Sequence, residues 1–259
     1  MKWLLFVVGL LLIIGLIRNN PTVLPGSQIR NSPTPPPQIQ GTEITYKGIR
    51  YIIYTQLVNP NKLSLIPNFT ERNTTQRIIL ENNCKYGTNA GFYTPEQKPL
   101  GFFSTDSTAH AKNTAIVSNF LNGYVVKTND TLLITDKLPS PSTIQFAFQS
   151  GPLFIPNQKL SIKNDESDRR VLLGKTEDGK TYFIPIVTAD NSNSGPLLAD
   201  VPYLLQQFNT STTLSAESKT MKQFTLLINL DGGSASAFYG AQTTLQELVA
   251  VGSFLCEVE

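Results

Sequence analysis

The sequence predicts an α+β fold: a single sheet-rich mixed domain with a few flanking helices, preceded by an N-terminal membrane-anchor helix. Three features predict it. Short β-branched and aromatic runs recur between turn residues from residue 41 onward. Segments with apolar residues at helical spacing are few. No repeat of fixed period and no regular strand-helix alternation is present, which argues against solenoid and doubly wound folds.

In chain order, residues 1–20 come first as a signal-anchor segment. Trp3 to Ile17 are fifteen uninterrupted apolar or glycine positions between Lys2 and Arg18. At ~1.5 Å per residue the run covers roughly 22 Å, short of a ~30 Å hydrocarbon core and within signal-peptide range. No small-x-small cleavage site and no lipid-accepting cysteine follows, so an uncleaved anchor is favoured over a cleaved signal peptide. Residues 21–40 form a linker holding six of the seventeen prolines, a composition that resists helix and sheet and acts as a semi-extended spacer.

Residues 41–259 form the body. Strand signals lie at Arg50 to Val58, Thr114 to Phe120, Gly123 to Lys127, Thr131 to Thr135, Thr143 to Phe148, Thr181 to Val187 and Phe224 to Leu230. Helical spacing marks Thr74 to Asn82, Ala199 to Phe208 and Thr243 to Val251. Lys163 to Asp168 and Thr210 to Lys219 read as exposed loops.

Charge and composition exclude several functions. Of 21 basic residues, Lys2, Arg18 and Arg30 precede residue 41, where there is no acid, so the body carries 18 basic against 19 acidic groups. Such a neutral body gives no electrostatic footprint for nucleic acid. Two cysteines make no disulfide scaffold and one histidine makes no multi-histidine metal site. Outside the cytoplasm, Cys84 and Cys256 are a candidate pair joining the early body to its last strand, with geometry left open. Sequons begin at Asn68, Asn73, Asn129 and Asn209 and matter only in a glycosylating host.

Four polar, glycine-bearing segments stand beside apolar runs: Thr88 to Tyr93 (TNAGFY), Gln149 to Leu153 (QSGPL), Arg170 to Gly174 (RVLLG) and Asn229 to Ser236 (NLDGGSAS). A rigid strand can position a side chain while a following glycine admits a ligand to the backbone. Asp231, after the strand FTLLI and before two glycines, is placed for partial desolvation and acid-base chemistry. An ordinary Asp-Gly hairpin turn is the alternative.

Together, in this order and spacing, the four segments resemble the phosphodiester glycosidase family over roughly Asn83 to Phe238. Asn89 and Gly91 match the first motif, with Ala90 at a usual glycine. Gln149, Ser150, Gly151 and Pro152 match the second. Arg170 and Gly174 match an Arg-Thr-Ala-Ile-Gly pattern without its threonine. Asn229, Asp231, Gly232 and Gly233 match the last motif; Ser234 replaces a glycine and Ala235 the first serine of a pair, leaving Ser236.

The resemblance implies hydrolysis of a sugar-1-phosphodiester to free sugar and phosphomonoester by an exported or membrane-tethered protein. On it, Asp231 is the first catalytic carboxylate and Asp190 the second, each with glycosidase-like roles at an oxocarbenium-like centre. Asp190 equally fits a loop cap. Arg170 is the phosphate-binding cation, with a surface arginine merely paired to the nearby acids of NDESDRR as the alternative, and its neighbour Arg169 is the decoy. Asn89, Gly91, Gln149, Ser150, Gly151, Asn229, Gly232, Gly233 and Ser236 line the substrate site. No cofactor is expected. Asp190, Asp200 and Asp231 offer oxygen ligands to a divalent cation, but their spacing matches no known site. His110 reads as a solvent-facing loop residue. The aromatics Phe92, Tyr93, Phe102, Phe103, Phe238 and Tyr239 divide between a sugar-stacking wall and, by default, core packing. The expected partners are a sugar-phosphodiester or glycan and, through the anchor, the membrane. A non-catalytic glycan-binding module on the same fold is the competing function, and a purely structural surface domain a third.

Overall fold

The structure, a computed structural model, describes residues 41–105, 114–129, 131–139, 144–214 and 223–259, without the side chains of 212–214. The anchor, the linker and His110 lie outside the described residues. Among the described residues no helix is long and apolar enough to cross a membrane.

The chain opens with strands β1 (Thr42–Tyr46), β2 (Ile49–Ile53), β3 (Gln56–Val58) and β4 (Leu63–Pro67), then helix α1 (Thr75–Asn82). Next come β5 (Cys84–Asn89), β6 (Phe103–Ser104), β7 (Gly123–Thr128), β8 (Leu132–Thr135), β9 (Ile144–Ser150) and β10 (Leu153–Phe154). The hairpin β11 (Arg170–Thr176) and β12 (Thr181–Thr188) leads to α2 (Val201–Leu214). Strands β13 (Phe224–Asn229), β14 (Phe238–Tyr239), β15 (Thr244–Leu245) and β16 (Ser253–Val258) follow.

Among the described residues the pairings are antiparallel and build three sheets. A seven-stranded sheet runs β1-β2-β12-β11-β13-β10, with β3 also on β12. A five-stranded sheet runs β15-β14-β5-β16-β4, and a four-stranded one β6-β9-β7-β8. Their inner faces share one core: Val171, Leu173, Phe183 and Ile228 from the first, Phe238 and Leu255 from the second, and Val125, Phe146 and Phe148 from the third.

Strand β12 shows why the pattern reads as it does. Phe183 and Val187 enter the shared core while Tyr182, Ile184 and Ile186 enter a second core, so the run is apolar at successive positions. Pro185 falls where the outer partner changes from β3 to β2, so its missing N–H interrupts neither ladder. Helix α2 covers the second core with Val201, Leu204, Leu205 and Phe208. Helix α1 starts at Thr74, whose hydroxyl accepts the Arg77 N–H, and closes on Asn83 in the left-handed region at φ 51°. Its Ile78 packs on Phe254 and Cys256 of β16, on the outer face of the five-stranded sheet.

Several expected elements differ. Helix α2 runs on to Leu214, into the segment expected as a loop from Thr210. Thr243 to Val251 is not a helix: Thr244 and Leu245 pair with Tyr239 and Phe238, and the N–H groups of Leu248 and Val249 both donate to the Ser234 carbonyl, at 2.7 and 3.1 Å. Amides that a helix would use internally are taken elsewhere. Thr114 to Phe120 is irregular, because the main chain of Ile116 is bonded to the Gln149 side chain instead of to a strand.

Cys84 and Cys256 form a disulfide between the neighbouring strands β5 and β16, with Cα atoms 5.4 Å apart and 172 residues of separation. Closing so long a loop constrains the unfolded chain strongly. Replacing both cysteines by alanine should therefore lower unfolding free energy by about 2–5 kcal/mol, read as a shift of the urea midpoint. Dithiothreitol should reproduce the shift in the natural chain and leave the double variant unmoved.

Candidate active site

Strands from all three sheets end at one place. The Asp231 N–H donates to Ala90 O at 3.0 Å, just past the end of β5, and Leu230 N–H donates to Val171 O at 3.0 Å on β11. From β9, the Ser150 hydroxyl donates to Asn229 O at 2.6 Å, and the Gly151 N–H to the same oxygen at 3.1 Å. The four glycine-bearing segments thus meet around the exit of β13.

Asp231 does not make a hairpin turn. After extended Gly232, Gly233 at φ +62° opens a 3-10 turn over Gly233–Ala235, and the chain crosses to β14 in the five-stranded sheet. A side chain at Gly233 would meet the Asp168 carboxylate, whose Oδ2 lies 2.8 Å from the position of a Cβ. Asp231 is half-buried. Burial pushes its pKa up to about 7, and the Gly232 N–H donated to Oδ1 at 3.0 Å pulls it back only partly. Burial and then the Asp231 charge raise the nearby Tyr93 hydroxyl, which donates to Ala250 O at 2.8 Å.

Arg170 comes from the start of β11 with only 11% of its side chain exposed. Its Nε donates to Pro196 O at 3.2 Å; Nη2 meets Asp165 Oδ1 at 3.5 Å and the Glu166 carbonyl. Nη1 lies beside Gly232, 3.2 Å from where a Cβ would be, and has no hydrogen-bond acceptor among the described residues. Burial lowers the guanidinium pKa, against the opposing charges of Asp165, Asp168 and Glu166. Arg170 also lines a cleft of about 590 Å³ with Ser118, Asn119, Phe120, Lys163 and Asp168.

Most of the other residues expected to touch substrate are instead engaged with the protein. The Asn89 amide donates to Asp231 O at 2.6 Å and accepts from Ala237 N–H at 2.9 Å. Gln149 accepts from the N–H groups of Phe102 and Ile116 and donates to the carbonyls of Ile116 and Leu121. Gly91 packs against Phe148 and the Gln149 carbonyl, and Gly151 lies so close to Phe120 O that a Cβ would sit 2.0 Å away. The Asn229 amide donates to Gly151 O at 3.1 Å, and the Ser236 hydroxyl to Arg169 O at 3.2 Å. These side chains hold the loops; of their amide groups, the buried Asn229 Oδ1 is left without a hydrogen-bond partner among the described residues.

Asp190 is not brought to Asp231. Its side chain is 81% exposed and pairs with Arg50 at 2.6 Å, and none of its contacts is with the Asp231 group. Asp200 pairs with Lys47 at 2.8 Å. No group of three or more His, Cys, Asp or Glu side chains among the described residues could hold a metal ion. Of the aromatics, Phe103 and Phe238 are in the shared core, and Phe92 packs edge-on against Phe120.

The sequence reading misplaced Arg169, which is 1% exposed and bonded to the Gly233 and Ser234 carbonyls. Alternation was the available signal, since Val171 and Leu173 point into the shared core and residue 169 lies on the same face.

Residues 82–252 match the phosphodiester glycosidase family. The chain belongs to that family. The match spans every segment described around Asp231, and the family is one of hydrolases. Among solved structures, the zebrafish N-acetylglucosamine-1-phosphodiester alpha-N-acetylglucosaminidase catalytic domain, auto-inhibited by its pro-peptide, is similar with a TM-score of 0.61 and 14% identity. That likeness covers 85% of this chain and 81% of the zebrafish one. A hypothetical protein from Synechocystis has a TM-score of 0.51 at 13% identity, over 83% of this chain and 61% of its own. At these identities the likeness is one of fold. No match is found among curated protein sequences.

Because the folded state holds the Asp231 proton more tightly than the unfolded chain does, raising pH from ~4 to ~7 deprotonates the unfolded chain first and lowers stability. Asp231→Asn removes that penalty. It should be near neutral at pH 4 and stabilising by about 1–4 kcal/mol at pH 8, measured by urea unfolding across pH. A difference that stays constant with pH would contradict a buried ionising carboxyl.

Proposed function

We propose that this chain is a membrane-anchored hydrolase working outside the cytoplasm, cleaving sugar-1-phosphodiester bonds in envelope or exopolymer glycans. One observation carries the reading: in a phosphodiester glycosidase fold, the residue at the meeting point of four chain segments is a carboxyl whose pKa is raised to about 7. A group with that pKa is matched to proton transfer at neutral pH. Arg170 Nη1, unengaged beside Gly232, is the donor for a phosphate oxygen.

With Asp190 on the surface, one carboxylate does the acid-base work. Ionised Asp231 takes a proton from a water whose oxygen bonds to the anomeric carbon. The bond from that carbon to the phosphate oxygen breaks, and its electron pair leaves with the phosphomonoester. That leaving group is already a stable anion, so it needs no strong acid. Supporting the placement are the apolar leader and the proline-rich linker, together with a disulfide of the kind that persists in oxidising compartments.

Incubating the detergent-solubilised full chain with a uridine-diphospho sugar should release free sugar, with kcat/KM rising tenfold per pH unit up to a plateau above ~7. Asp231→Asn should reduce turnover by about 10²-fold or more, and Arg170→Lys should raise KM about tenfold. Binding across a glycan panel without turnover would favour the glycan-binding module instead. In fractionated cells the full chain should sediment with membranes and be cut by protease added from outside. Recovery in the cytosolic fraction would overturn the placement.

A further inference from the structure

We infer that Arg169 is a positioning residue that fixes Asp231 for reaction by clamping the backbone of residues 233–236. Its Nε donates to Gly233 O at 2.9 Å, Nη2 to Ser234 O at 3.3 Å, and Nη1 reaches Asn193 Oδ1 at 3.5 Å. Its own carbonyl accepts the Gly233 N–H at 3.1 Å and the Ser236 hydroxyl at 3.2 Å. Side chain and main chain of one residue therefore grip the same short turn.

The chemistry explains why an arginine stands there. Gly233 O also accepts the Ser236 N–H within the turn, and Ser234 O the N–H groups of Leu248 and Val249, so the guanidinium adds a further donor to each of two carbonyls that already anchor the turn. A planar guanidinium fork can bond two neighbouring carbonyls at once, whereas an ammonium offers a point charge without that geometry. The buried cation needs compensation, and it feels the charges of Asp168, its chain neighbour before β11, and of Glu247 from the segment after β15. Glu247 is held in turn by the N–H and hydroxyl of Thr75.

The gripped turn begins one residue after Gly232, whose N–H is bonded to Asp231 Oδ1. Arg169 thereby sets where that donor sits and how far water reaches the carboxyl. Asp231 interacts electrostatically with the Tyr93 hydroxyl, and the Arg170 guanidinium lies beside the adjoining Gly232. Neither group is altered by the substitutions below.

Because this role presupposes that Asp231 is the reacting carboxylate, the clamp is tested in the full chain by two readouts, one independent of turnover. Arg169→Lys should lower kcat by about tenfold or more while KM changes less than about threefold, the signature of lost transition-state placement. The apparent pKa in the kcat/KM profile should fall by about one unit toward the ordinary carboxylate range as water enters. The same fall should show in the pH dependence of the stability difference that Asp231→Asn produces, measured in the Arg169→Lys background. Ser236→Ala removes one grip with little change in volume, and should shift both readouts in the same direction by less; it carries the test if Arg169→Lys does not fold. Lower stability with kcat and both pKa readouts unchanged would reduce Arg169 to a scaffold residue and overturn the inference. If the natural chain turns over no sugar-phosphodiester, the hydrolase reading fails, and the stability readout alone still decides the clamp.

Discussion

The backbone that leaves β13 after Asn229 has to find partners as it crosses from one sheet to another, first on the neighbouring β11 and then on other segments, and that requirement organises the site. Residues 230–237 run between two sheets and are mostly buried, with Asp231 and Gly232 half-buried and Ser234 exposed. Ala90, Val171, Arg169 and Asn89 supply the missing partners, from β11 and the end of β5. An acid set within this stretch inherits a desolvated setting. Its neutral-range pKa is thus a consequence of how the crossing is stitched, with no second acid required to raise it.

Most polar side chains in the family motifs serve this stitching. The Gln149 side chain makes four hydrogen bonds, all to backbone, and fixes Phe102, Ile116 and Leu121. Asn89 ties the exit of β13 to the entry of β14. Such a frame holds Asp231 and Arg170 without competing for a ligand, which leaves few groups to do chemistry and many to hold them still. The small-for-small departures at Ala90, Ser234 and Ala235 are consistent with that division, since Ala90 and Ala235 are buried and Ser234 contributes its carbonyl.

Much of this was legible in the sequence. Runs such as TYFIPIV and FTLLINL gave central strands, and Thr74 with the apolar spacing behind it gave α1, because local pattern and final burial agree there. Asp231 and Arg170 stood out because each lies at the edge of an apolar strand beside a small residue or a motif. What local pattern did not carry is the use to which a polar group is put. Nothing near Asn89 says its amide will face main chain, and Asp190 looked like a strand-mouth acid until Arg50, from a distant strand, claimed it. The acids of NDESDRR likewise concealed that the first arginine points inward. Tertiary neighbours 24 to 148 residues away decided each of these.

Strand β16 lies between β4 and β5, although some 160 residues separate β5 from it in sequence, and the disulfide ties it to β5. Until it arrives, β4 and β5 each present an unpaired edge to whatever is nearby, including other copies of the chain. Assembly of this sheet is therefore a late, non-local event in folding, and slow passage through the half-built state is where aggregation would begin.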